Sequence, residues 1–98
     1  MGDVRVLGEC LLDPSREQWE RMQAAQDLDQ QGADALPYLF EAASLDWSHD
    51  PGMRVLIGTS IATIWHGQGA LRTASTDGLP PETVAEIENA RRHAPGMS

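Results

Sequence analysis

Apolar residues recur at intervals of three and four through every structured-looking stretch of this chain, and runs of alternating β-branched residues are nearly absent. That period belongs to the α-helix, so the pattern predicts an all-α fold of four to five helices packed as antiparallel helix hairpins. Val4, Leu7, Cys10 and Leu11 share one side of a first helix over 3–12, which Asp13-Pro14 stops. Val4 and Val6 also permit a short strand there. Pro14 and Ser15 open a second helix that runs to Gln31, with Ser15 as its N-cap and Gly32 as its stop. Its apolar side is Trp19, Met22, Ala25 and Leu28. At about 3.6 residues per turn, Glu20 and Asp27 lie together on the side away from Met22 and Ala25, flanked by Gln23 and Gln31.

Asp34 can cap a third helix that tolerates Pro37 in its first turn and ends near Leu45, with a buried stripe of Leu36, Leu39, Phe40 and Ala43. The polar loop from Asp46 to Pro51 leads into the clearest helix of the chain, over 52–66. There Met53, Leu56, Ile57, Ser60, Ile61, Ile64 and Trp65 keep the helical period, which makes this helix the centre of the core. Residues 67–79 form an internal loop with Gly67, Gly69 and Gly78 among small and polar neighbours. Pro80-Pro81 then starts a last helix to His93 with a thin stripe of Val84 and Ile87, and 94–98 is a frayed tail.

Size fits this reading. A chain of 98 residues makes a single helical domain over 1–98 with one core, and 41% apolar residues with three tryptophans is the composition of a globular protein. No apolar run approaches a membrane span, and no secretory leader is visible, so the expectation is a cytoplasmic protein that does not engage a membrane. A lone Cys10 fits a reducing compartment and core packing.

Charge changes the picture more than composition does. Residues 9–50 hold ten Asp and Glu against only Arg16 and Arg21, a local balance of −8, while both flanks are neutral. A regional charge of this size makes a directed field that steers and holds a basic partner. The competing reading of the same charge is plain solubility. The seven basic residues are too few and too dispersed for nucleic-acid binding.

Candidate chemistry is sparse. None of His49, His66 and His93 lies three or four residues from another His or Cys, so no metal site and no cofactor are expected. The His66-Gly67-Gln68-Gly69 turn follows a helix and lacks the Lys of a phosphate loop. Ser15, Ser44, Ser60 and Ser75 have no nucleophile setting, and an enzyme with catalytic residues is not expected. Trp47 stands apart from any apolar stripe. It reads either as an interface anchor ringed by Asp46, His49 and Asp50, or as a lid over one end of the core.

From Glu20 to Trp65 a further pattern emerges: Arg21-Met22, Ala24-Ala25, Leu28, Gly32, Ala35-Leu36-Pro37, Leu39, an acidic loop, Asp50-Pro51 and Met53-Arg54. This order resembles the HEAT-like family of helical repeats, with Arg21 and Arg54 separated by 33 residues, a usual repeat period. The resemblance covers about half the chain; Arg21 precedes its apolar partner where the family has the reverse, and 67–79 does not continue the repeat. Membership would imply protein binding through helix faces or inter-helix loops, and no catalysis. In size and acidity the chain is also similar to the immunity proteins that inhibit bacterial nuclease toxins. The expected function is therefore neutralisation of a basic protein, with Glu17, Glu20, Asp27, Asp46, Trp47 and Asp50 as the partner-binding set. The alternative is a HEAT-like adaptor or regulatory subunit that binds through an apolar groove.

Overall fold

The structure, a computed structural model, describes residues 3–48, 50 and 52–93. It is all-helical, and no strand occurs among the described residues. Five α-helices follow in order: α1 (Val4–Leu12), α2 (Gln18–Leu28), α3 (Leu36–Ala43), α4 (Gly52–Gln68) and α5 (Pro81–His93), with a 3-10 helix (Gly32–Ala35) leading into α3. Side chains from every helix meet in one core that includes Leu11, Leu28, Leu39, Ile57, Ile61 and Ile87. The segment for which a strand was also open is helix α1, capped by the Asp3 side chain accepting from the Arg5 amide at 3.2 Å. His49, Pro51 and the tail over 94–98 lie outside the described residues.

Helix α4 is the axis of the fold, as its period requires. Met53, Ile57, Ser60, Ile61, Ile64 and Trp65 are all buried, and Leu56 is partly so. Its C-terminus is closed by Gly69 at φ 72°, with the Ala70 amide reaching back to the Trp65 carbonyl at 2.8 Å. That is the Schellman arrangement, in which a left-handed residue lets the chain turn and satisfy orphan carbonyls. Phe40 of α3 meets Trp65 with ring centroids 6.0 Å apart. Just past the end of α3, Trp47 bonds the Ala42 carbonyl and lies against Arg21 in the first half of α2, so α3 returns antiparallel to α2.

Three helix boundaries differ from expectation. Ser15 does not cap α2, because its hydroxyl and its amide both donate to Asp13 Oδ1, at 2.7 and 2.9 Å, and are spent in a turn around Pro14. The N-cap is Glu17, whose amide donates to the Glu20 carboxylate at 3.1 Å, the returning half of a capping box. Asp34 does not cap α3 either: it lies inside the 3-10 helix, and α3 begins two residues later with Pro37 in its first turn. The second helix stops at Leu28, and Gly32, at φ 74°, makes the left-handed step that starts the 3-10 helix.

The larger difference is the direction of α5. The α1–α2 pair is a hairpin with a short turn: Cys10 Sγ lies 3.7 Å from the Glu20 carbonyl, and the Arg21 guanidinium Nε donates to the Leu11 carbonyl at 2.9 Å. The α4–α5 pair is parallel. Thr83 Oγ1 donates to the Arg54 carbonyl at 2.9 Å, Arg54 pairs with Glu82 at 3.6 Å, and further along both helices Gly58 abuts Thr83 and Glu86. The register advances in step along both helices, which an antiparallel hairpin cannot do. A crossover over 69–80 makes the return possible. Its Leu71, in a stretch expected to be small and polar, is buried as a plug. Arg91 of α5 holds the crossover, with Nε donating to the Leu71 carbonyl at 2.7 Å and its terminal nitrogen to the Ala74 carbonyl at 2.7 Å.

Gly58 sets how closely α4 and α5 approach. A Cβ there would stand 2.9 Å from the Thr83 carbonyl oxygen, a backbone atom that cannot swing away, whereas a Cβ at Gly67 of the same helix meets nothing within 4 Å. Gly58→Ala is expected to lower stability by about 1–2 kcal/mol, overpacking outweighing the gain in helix propensity. Gly67→Ala is expected to raise it by about 0.5–1 kcal/mol. Urea unfolding of the two variants should move the midpoint in opposite directions.

Candidate functional site

The acidic window folds into two ends of one ridge. Ser60 of α4 donates to the Ala25 carbonyl at 3.1 Å, while the start of α2 lies beside the chain entering α4, so α2 and α4 run in the same direction. Glu17, Asp46 and Asp50 accordingly gather at one end of α2, and Asp27, Asp29 and Asp34 at the other. The helix between Glu17 and Asp27 rises about 15 Å.

At the first end, Arg16, Gln18, Arg21, Asp46, Trp47 and Asp50 line a concavity of about 160 Å³. Three of the six expected partner-binding residues, Asp46, Trp47 and Asp50, thus share one wall, with Glu17 next to it in sequence. Asp27 is at the opposite end. Glu20 lies between, partly buried and already engaged: it accepts from the Glu17 amide and pairs with Arg16 at 3.4 Å.

Trp47 is a lid and not a protruding anchor. Only 5% of it is exposed, and its indole N–H donates to the Ala42 carbonyl at 2.7 Å, which caps the end of α3. The Arg21 guanidinium carbon lies 4.3 Å from the centroid of the indole, a cation–π contact made while the same guanidinium bonds Leu11. The exposed tryptophan is instead Trp19, placed by its spacing on the apolar side of α2 but 68% exposed. Helix α2 begins two residues later than Ser15 suggested, and its core face is made by Ala24, Ala25 and Leu28, the last about half a turn around the helix from Trp19. Phe40 is likewise only partly covered, 37% exposed beside Trp65.

The cations of the window are committed inside the fold. Arg16 pairs with Asp13 at 3.6 Å as well as with Glu20, and Arg21 is taken up by Leu11 and Trp47. The Asp13 carboxyl is held below the usual range by the Ser15 hydroxyl and amide, with Arg16 adding to the effect. Among the described residues, Glu17, Asp27, Asp34 and Glu41 have no arginine partner, and Asp27 accepts only from Gln23, at 3.0 Å. Their charge is left to the solvent or to a partner.

Asp29 is the carboxylate that spacing did not single out. It occupies the C-cap of α2, the negative end of that helix dipole, and its buried Oδ1 has no hydrogen-bond partner. Burial raises its pKa and the Asp27 charge adds to the rise, while the nearby Ser60 hydroxyl opposes it. Among the described residues no group of three or more His, Cys, Asp or Glu is arranged to hold a metal ion. No helix there is long and apolar enough to cross a membrane.

Because the native state binds the Asp29 proton more readily than the unfolded chain does, stability falls as pH rises through the interval above 3.8, the ordinary Asp value. Asp29→Asn should therefore be more stable than the parent at neutral pH, and the difference should disappear below that value, as thermal unfolding across a pH series would record. Trp47→Phe removes one of two donors to the Ala42 carbonyl, the Leu45 amide at 3.1 Å remaining, and is expected to cost about 0.5–1.5 kcal/mol in chemical denaturation.

Compared with known proteins, the chain matches no family model, no curated protein and no solved structure.

Proposed function

We propose that the protein is a small acidic binding protein that neutralises a basic protein, most concretely as an immunity protein that inhibits a bacterial nuclease toxin. One observation carries this reading. The fold spends Arg16 and Arg21 internally and leaves Glu17, Asp27, Asp34 and Glu41 without an arginine, so most of the excess of −8 over residues 9–50 is carried by α2, α3 and their flanking turns, Glu9 of α1 being paired with Arg5. Like charges held this close repel one another and destabilise the compact state unless an external cation offsets them. Enzymes that act on nucleic acids carry positive clefts for phosphate, and an acidic ridge of this length can occupy such a cleft.

The contact set shifts accordingly. Glu17, Asp27, Asp46 and Asp50, with Asp34 and Glu41, supply charge. Glu20 and Trp47 support the ridge from within. The adaptor reading retains one supporting feature: α2 and α4 run parallel with α3 reversed between them, as successive HEAT-like repeats stack. That reading places recognition on apolar surface and makes it indifferent to salt.

The test is a pull-down from the source cells with a salt-gradient elution, followed by calorimetry on the captured partner. A basic protein that elutes with rising salt, and whose affinity falls about 100-fold or more on combined reversal of Asp27, Asp34 and Glu41 to Arg, is the expected result. An acidic partner, or affinity unchanged by the reversal, overturns the reading. Glu20→Arg is not the variant of choice, because it also breaks the α2 cap.

A further inference from the structure

We infer that the seam between α4 and α5 is a binding site for a small organic cation, a molecule with an apolar body and one ammonium group. This site lies outside the acidic window and does not depend on the basic-partner reading. Past the contact at Gly58, the facing residues are Ala62 and Ala90, too small to fill the space between two parallel helices, and Leu71 closes the floor. A groove of about 280 Å³ remains, at the small end of the usual range for ligand pockets.

Its hydroxyl groups accept and do not donate outward. Thr59 and Thr63 line one wall, and each spends its hydroxyl hydrogen on its own helix, on the Val55 carbonyl at 3.1 Å and the Thr59 carbonyl at 2.9 Å. What they have left is methyl groups and oxygen lone pairs. His93 Nδ1 lies 2.9 Å from the Asn89 carbonyl, which can only accept, so Nδ1 carries the hydrogen and Nε2 of the neutral ring is an acceptor. Glu86 is the carboxylate on the opposite wall, and His66 stands at the same end as His93 because the helices are parallel. His66 adds one imidazole N–H, and a ligand that brings donors of its own meets the threonine oxygens and the Glu86 carboxylate.

The field has the same sign. Two helix C-termini point the same way at the His66 and His93 end, and their carbonyl dipoles favour positive charge. Arg72, Arg91 and Arg92 each adjoin a lining residue in sequence, but none lines the groove, and Arg91 is turned onto the Leu71 and Ala74 carbonyls and Glu88. Threonine hydroxyls spent on their own helix, an apolar floor and one carboxylate select an amine over an acid of the same shape.

Phenethylamine and its acid counterpart 3-phenylpropionate are the probes, titrated into isotope-labelled protein and followed by amide chemical shifts. The amine should give saturable shifts at Thr59, Thr63, Leu71 and Ala90 in the millimolar range, with the acid weaker by about fivefold or more. Thr63→Phe, a substitution on the exposed wall, should fill the groove and abolish those shifts. Glu86→Gln should bring amine and acid to within about twofold of each other. Absence of saturable shifts at these residues, equal binding of the two probes to the parent protein, or the same shifts appearing when the protein alone is concentrated, which would assign the groove to a second copy, each overturns the proposal.

Discussion

Everything in this fold is arranged around a helix that carries no Asp, Glu, Lys or Arg from Val55 to Gln68. A helix so poor in charge has to be covered on several sides, and α2, α3 and α5 do so. Coverage on more than one face brings polar groups into the core with it, and each must find a partner. Ser60 meets the Ala25 carbonyl on the α2 side, and Thr83 meets the Arg54 carbonyl on the α5 side. These two hydrogen bonds fix where the neighbours sit along α4, since sliding either helix would strand a buried hydroxyl. Gly58 then permits α5 to come close enough for Thr83 to reach.

The small supply of arginines is used to hold segment ends. Arg21 joins the end of α1 to the Trp47 lid, and Arg91 fastens the crossover onto α5. In both cases a guanidinium is matched to backbone carbonyls, a use its fork of donors suits. The consequence reaches the surface: Arg21, turned onto a carbonyl and an indole, is not paired with a carboxylate. Composition sets the acidic excess and the fold decides which carboxylates carry it without an arginine, which supports a role in which the missing counter-charge comes from another molecule.

How legible this was differed from element to element. Helix α4 was plain because burial on several sides imposes apolar residues at every period position. Helix α2 was misjudged at its start, where Ser15 and Glu17 are both chemically able to cap and the choice fell to Asp13, which captured the serine. Trp19 is exposed because it lies about half a turn around α2 from the buried Leu28, and Trp47, for which the lid reading stood open, is buried because its loop folds back over a helix end. Of the expected site residues, Asp46, Trp47 and Asp50 converge, but Asp27 lies at the far end of the ridge, because neighbours on one helix face are separated along its length.

By itself the sequence determined the helical class, the identity of the central helix and the regional acidity, because helical period, stop signals and net charge are properties of local order and composition. Only the tertiary structure decided the parallel course of α5, the burial of Leu71, the spending of Arg21, the orphaned Oδ1 of Asp29 and the groove between α4 and α5. Each of these depends on which distant backbone atoms come within hydrogen-bonding or van der Waals reach, and no spacing along the chain encodes that distance.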